Sequence, residues 1–116
     1  VVVQVPYLPS THHMIGAPQL ARMKSTAALI HAGRGGVVDD AALAEALKSG
    51  KIAAAAVDCF ENEPAVNPAL LDCPNVLLTP HIGSATPDTR MTMMRMALGN
   101  LVAALQGKTP PNAVSG

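Results

Sequence analysis

Aliphatic residues fall in four short runs: Val1 to Val5, Ala27 to His31, Ile52 to Val57 and Val76 to Thr79. Each is too short for a buried helix and is followed by Pro, Gly or acidic residues, so the pattern predicts four strands. The runs are apolar on both faces, which predicts a sheet covered on both sides. Ile52 to Val57 carries the weakest strand signal, because its consecutive alanines also suit a helix. Gly50 before it and the segment Asp58 to Pro64 after it favour a strand. Helix signals lie between the runs. Pro18 suits a first helical position, with Leu20 and Met23 on one face. Asp39 and Asp40 are good N-caps for a helix over Ala41 to Ser49, where Leu43 and Leu47 are one turn apart and Gly50 marks the stop. For the last helix, Thr86 is the cap, Pro87 the opening, Asp88 the complement to the dipole and Gly107 the end. Its Met91, Met94, Leu98, Leu101 and Leu105 follow an amphipathic rhythm that predicts core packing. Strand alternating with helix predicts an α/β fold with a parallel sheet. The Pro-rich tail from Lys108 to Gly116 is expected to be extended.

Composition narrows the function classes. The 116 residues are 49% hydrophobic and 14% charged, which excludes intrinsic disorder. Eight basic and eight acidic residues cancel, so no charge excess points to nucleic acid or an anionic membrane. No apolar run approaches the ~20 residues of a membrane span, and no secretory signal is visible. Tyr7 and Phe60 are the only aromatic residues against 20 alanines, as suits tightly packed inner strands and helices. Cys59 and Cys73 make neither a disulfide framework nor a zinc motif, so a reduced, cytoplasmic compartment is expected. His12 and His13 are adjacent, and side chains one residue apart seldom converge; no metal site is expected. The chain starts at Val1 within an apolar run, and it is expected to be part of a longer protein.

In open parallel sheets, ligands bind beyond the carboxyl ends of the strands. Pro6, Tyr7 and Leu8 follow the first run, Ala32 to Gly36 the second, Asp58 to Pro64 the third and Pro80 to Ser84 the fourth. An arginine, carboxylates and a histidine therefore share one edge. Arginine offers a bidentate fork for a substrate carboxylate. Histidine suits proton transfer at neutral pH, and a carboxylate beside it favours the imidazolium. Arg34, His81 and Glu63 are the candidates for these roles. Glycines on both sides of Arg34 permit a tight turn and close approach of backbone to a ligand. Taken singly, Arg34 suits a surface turn, Glu63 and Glu61 suit solvated loop acids, and His81 suits a structural histidine; the joint pattern makes the site.

Ile30 to Asp39 reads I-H-A-G-R-G-G-V-V-D, Asp58 to Pro64 reads D-C-F-E-N-E-P, and Thr79 to Gly83 reads T-P-H-I-G. In this order and spacing they resemble the C-terminal signatures of the D-isomer-specific 2-hydroxyacid dehydrogenases. V-Q-V-P-Y-L-P-S-T, from Val3 to Thr11, is similar to the family's segment near the nicotinamide. A-G-R-G, H-I-G-S-A-T and N-L-V-A-A-L-Q-G-K together look most like the glyoxylate/hydroxypyruvate reductase group, which overlaps the 2-ketogluconate reductases. The resemblance implies Arg34, Glu63 and His81 as catalytic residues. It further implies cofactor contacts at Pro6, Ala32, Gly33, Arg34, Asp58, His81, Gly83 and Ser84, with Asp58 on the nicotinamide carboxamide. The implied reaction moves hydride between NAD(P)H and a 2-oxo acid, with NADPH favoured by the subgroup. A homodimeric parent is implied as well.

His31 stands where the family often has asparagine, Cys59 where valine is common and Tyr7 where leucine is frequent. Cys59 is expected to act as a small buried hydrophobe; Tyr7 either touches the nicotinamide region or packs. The chain carries no G-x-G-x-x-G fingerprint, and Gly33, Gly35 and Gly36 do not make one. The expected organisation is therefore the second half of an NAD(P)-binding domain over residues 1–85, then, over 86–116, an amphipathic helix returning to a substrate domain and an extended tail. On its own the chain is expected neither to bind cofactor tightly nor to turn over. Two alternatives stay open: an NAD(H)-sensing corepressor-like regulator of the same fold, and a non-catalytic fragment that recruits a partner through its apolar helix.

Overall fold

The computed structural model describes residues 1–114. They form two compact units, one over Val1–Gly83 and a second from Ser84 onward.

The first unit alternates strand and helix. Its strands are β1 (Val2–Val3), β2 (Ala28–His31), β3 (Ala54–Val57) and β4 (Val76–Leu78), and its helices are α1 (Ala17–Leu20), α2 (Asp40–Lys48) and α3 (Pro68–Leu71). A single 3₁₀ turn covers Pro9–Thr11. The strands pair in parallel in the order β1-β2-β3-β4. The expected α/β class and parallel sheet are what the chain forms.

The strands are shorter than their apolar runs. β1 ends at Val3, because its partner β2 ends at His31 and the chain then turns at Gly33. Ile52 belongs to the turn after α2, where its amide donates to the Ala46 carbonyl at 3.3 Å. α3 had no counterpart in the apolar pattern. Its start is nevertheless written in Asn67-Pro68: the Asn67 side chain accepts the Ala69 N–H at 3.0 Å, and proline occupies the first turn.

Register explains the core. Val3, Leu29, His31, Ala55 and Val57 share one face of the sheet, and all are buried. Leu20 of α1, Leu43 and Leu47 of α2 and Leu70 of α3 close over that face. The other face carries Val2, Ile30 and Leu77, which are exposed. The expectation of a sheet covered on both sides is corrected: three short helices, joined to successive neighbouring strands, cover one face. Asp39 caps α2 by accepting the Ala42 N–H at 2.9 Å.

The second unit holds α4 (Pro87–Leu105). Thr86 accepts the Thr89 N–H at 3.3 Å, and Gly107 takes a left-handed φ of 69° two residues past the helix. No residue of α4 is buried, so the expected core packing of its Met/Leu stripe does not occur in this chain. At ~100° per residue, Met93 and Met96 also fall away from the stripe, so the helix is apolar on more than one side. Beyond it the tail is not simply extended: Asn112 N–H donates to Asn100 Oδ1 at 3.1 Å, and Ala113 N–H to the Pro110 carbonyl. Ser115 and Gly116 lie outside the described residues.

Candidate active site

Parallel strands place the loops after β2, β3 and β4 side by side. Arg34 sits in the loop after β2, its Nη1 donating to the Gly33 carbonyl at 2.8 Å. The glycines beside it serve the protein before any ligand. A Cβ on Gly35 would stand 1.8 Å from the Phe60 carbonyl oxygen, and one on Gly33 would stand 2.9 Å from that of Val5. The loop is therefore pressed against the segments after β1 and β3, and side chains at these two positions would push it outward.

After β3 the chain turns so that Glu63 folds back, its Oε1 accepting the Phe60 N–H at 3.0 Å. The Glu63–Pro64 peptide is cis. After β4, His81 adopts a left-handed φ of 53°, a costly conformation for a residue with a Cβ. Asp58 holds that turn in place. Its Oδ1 accepts from the Thr79 hydroxyl at 2.5 Å and the Ile82 N–H at 2.9 Å, while its Oδ2 accepts the Gly83 N–H at 2.9 Å. Partial desolvation pushes the Asp58 carboxyl up; the Thr79, Ile82 and Gly83 donors outweigh it and hold the group below the usual carboxylate range.

The result is a short contact between His81 and Glu63. His81 Nδ1 lies 2.8 Å from Glu63 Oε2 and 3.0 Å from Oε1. Desolvation raises the Glu63 carboxyl, and the His81 contact, the Phe60 N–H and the Arg34 charge together bring it below its ordinary value. Arg34, Glu63 and His81 all line one open cavity of about 600 Å³, together with Tyr7, His12, His13 and Glu61. The histidine and glutamate also border an apolar cavity of about 550 Å³ against Phe60, Val66 and Leu78.

The expected cofactor residues fall in two groups. Pro6, Ala32, Gly33 and Arg34 line a recess of about 420 Å³ with Gln4 and Val5. Asp58 and Gly83 are joined by their hydrogen bond beside His81. Ser84 opens the second unit, and the geometry of this site ends at Gly83.

Several side chains behave differently from expectation. Glu61 is not a solvated acid: it makes a short contact with His13 Nε2, and Asp39 lies 3.6 Å from the other ring nitrogen. His12 and His13 do converge, stacking with ring centroids 3.9 Å apart, and Tyr7 Oη lies 3.3 Å from His12 Nδ1. Tyr7 thus packs on a histidine. The strained His13 backbone (φ 49°) makes the convergence possible, since it departs from the extended geometry that separates neighbours. His31 is buried with no well-formed hydrogen bond to either ring nitrogen, and burial pushes its pKa down against the opposing backbone groups of Val3 and Arg34. Cys59 is 1% exposed, as expected of a small buried residue, with its thiol donating to the Gly33 carbonyl at 3.3 Å.

Comparison with known proteins places the chain in a family. The family model described as D-isomer specific 2-hydroxyacid dehydrogenase, NAD binding domain, matches residues 1–83. The chain belongs to this family. Among curated D-2-hydroxyacid dehydrogenases, glyoxylate/hydroxypyruvate reductase B of Citrobacter koseri is 54% identical over 112 residues, which cover 96% of this chain and 35% of the relative. The NADPH-dependent glyoxylate/hydroxypyruvate reductase of Sinorhizobium meliloti, solved with NADP and malonate, superposes with a TM-score of 0.83 at 46% identity, over 88% of this chain and 32% of that one. D-lactate dehydrogenase of Lactobacillus jensenii, solved with NAD+, superposes with a TM-score of 0.83 at 35% identity, over 99% and 39%. The chain spans about a third of the length of the curated relatives it matches. Its sheet is part of an NAD(P)-binding domain of Rossmann type. No helix among the described residues is long and apolar enough to cross a membrane.

Proposed function

We propose that this chain contributes the acid–base, carboxylate-anchoring and nicotinamide-side residues of an NAD(P)H-dependent reductase of small 2-oxo acids, glyoxylate and hydroxypyruvate foremost. The observation that carries this reading is the His81–Glu63 contact of 2.8 Å on the same cavity as Arg34. Bound NAD(P)H supplies the hydride to the carbonyl carbon. His81 has Nδ1 engaged by Glu63, which leaves Nε2 as the atom that gives a proton to the carbonyl oxygen in reduction and takes it back in oxidation. Glu63 stays ionised and stabilises the imidazolium while fixing the ring. Arg34 holds the substrate carboxylate through its planar fork.

The chain's residues fit a nicotinamide. The recess at Pro6, Ala32 and Gly33 is bordered by Arg34, so a ring seated there would lie beside the carboxylate anchor. Asp58 Oδ2 has one partner, the Gly83 N–H, and keeps accepting capacity for a carboxamide N–H. NADPH is favoured over NADH by the likeness to the NADPH-dependent Sinorhizobium meliloti enzyme. Two buried free cysteines suit a reducing, cytoplasmic setting.

Steady-state kinetics of the intact protein that carries these residues test the roles. With glyoxylate or hydroxypyruvate and NADPH, Arg34→Ala is expected to raise KM on the order of a hundredfold, whereas His81→Ala lowers kcat by roughly 10²–10⁴. Near-normal constants in both variants would remove the assignment.

A further inference from the structure

We propose that Cys59, Glu63 and His81 form a binding site for a zinc-like divalent cation. Each residue offers one donor atom, and the three donors lie within 4.8 Å of one another. They come from two loops: Cys59 and Glu63 follow β3, and His81 follows β4. No local sequence spacing announces such a site, because the third ligand arrives from the neighbouring strand.

The donor set is one that zinc takes: thiolate sulfur, imidazole nitrogen and carboxylate oxygen. Tetrahedral coordination at the usual bond lengths sets donors roughly 3.3–3.7 Å apart, so the His81–Glu63 edge, now 2.8 Å, must open and the Cys59 thiol must come within that range of both. Glu63 and His81 can supply that movement, since their side chains are 35% and 40% exposed. Cys59 provides the fixed corner: it is 1% exposed, burial pushes its thiol up, and the thiol must leave the Gly33 carbonyl to become a ligand. On binding, the S–H bond breaks, its proton leaves to solvent and an S–Zn bond forms. Any proton shared between His81 Nδ1 and Glu63 leaves as well, and both groups become ligands. Water takes the fourth position, as in sites with three protein ligands.

Occupancy replaces the His81–Glu63 contact, so the cation and the proton-transfer arrangement are mutually exclusive. The site itself does not rest on the reductase reading, because it requires only that three donors meet.

Titration of the intact protein that carries these residues with Zn²⁺ against a chromophoric chelator, and with Co²⁺ followed by its thiolate-to-metal absorption, tests the proposal. One equivalent bound at micromolar concentration, with a thiolate band, is expected. Cys59→Val should abolish the band and weaken binding at least tenfold, His81→Gln should weaken it comparably, and Cys73→Ala should change neither. Absence of binding at those concentrations overturns the site. So does undiminished affinity in Cys59→Val, which would move the metal to the His13–Glu61 contact. Both readouts are independent of turnover, so an inactive intact protein would count against the reductase reading alone.

Discussion

Two helices of this chain show how little an apolar pattern says about burial by itself. α2 has nine residues and buries five of them: Asp40, Leu43, Ala44, Ala46 and Leu47. α4 has 19 residues and buries none. Both are well capped, by Asp39 and Thr86. The difference is the surface each is given. α2 lies in a crossover between parallel strands, which returns the chain to the sheet and delivers one helix face onto Leu29 and Val57. α4 follows the last strand, in a unit of its own. Length and capping decide that a helix forms; connectivity decides whether its apolar face is covered.

Truncating one leucine in each helix gives the sharpest break between them. Leu43→Ala removes a fully buried side chain and is expected to cost about 2–5 kcal/mol in chemical denaturation. Leu98→Ala, at 57% exposure, is expected to cost about 0.5 kcal/mol or less. Equal losses would show α4 to be packed in solution.

Glycine substitutions should separate the units in sign. Gly35→Ala drives a Cβ into the Phe60 carbonyl and is expected to destabilise by about 1–3 kcal/mol. Gly99→Ala meets nothing within 4 Å in mid-helix and should strengthen α4 by about 0.5–1 kcal/mol, visible as higher helicity in far-ultraviolet circular dichroism. A stabilising Gly35→Ala would refute the close approach of the two loops.

Asp40 tests the same contrast through pH. Burial lifts its pKa to about 6 from 3.8; the Glu61 N–H opposes this, and the Glu61 and Asp39 charges add to it. The folded state therefore holds this proton more tightly than the unfolded chain. The contribution favours folding below pH ~4, and is lost as pH rises toward and through 6. Asp40→Asn keeps an acceptor for the Glu61 N–H without the charge. It is expected to raise stability at pH 7 by about 1–3 kcal/mol and to flatten the pH 4–6 slope. Denaturation midpoints of the two proteins that run parallel across that range would contradict it.

Much of the sheet unit was legible because its signals are local. Short aliphatic runs, the Asp39 cap and the motif loops each report on a few neighbouring residues. α3 was missed: its apolar content is too small to mark it, and the local start signal in Asn67-Pro68 was not read. The contact of Glu61 with His13 was not legible, because the two are 48 residues apart and meet only through the lateral order of the strands. The convergence of His12 and His13 depends on a left-handed backbone at His13, which nothing in its neighbours demands. For the glycines around Arg34 the local signal was sound, with a different cause: they make room for Val5 and Phe60. The Met/Leu stripe shows the opposite failure, a clear pattern whose partner surface no local signal could supply.

Because the strands follow one another across the sheet, position along the chain becomes position along its edge, like successive lines of text. The turns that precede β2 and β3 lie at the amino ends of the strands, away from Arg34, Glu63 and His81. Gly50, in one of these turns, has open space around it but a left-handed φ of 67° that a side chain would strain. Changes there are felt first by the buried Ile52 and the Lys51 and Ile52 bonds to Ala46, on the far side of the sheet from the carboxyl-end loops. Within Ala32 to Gly36 or Thr79 to Gly83, by contrast, a single insertion would take a side chain out of the site.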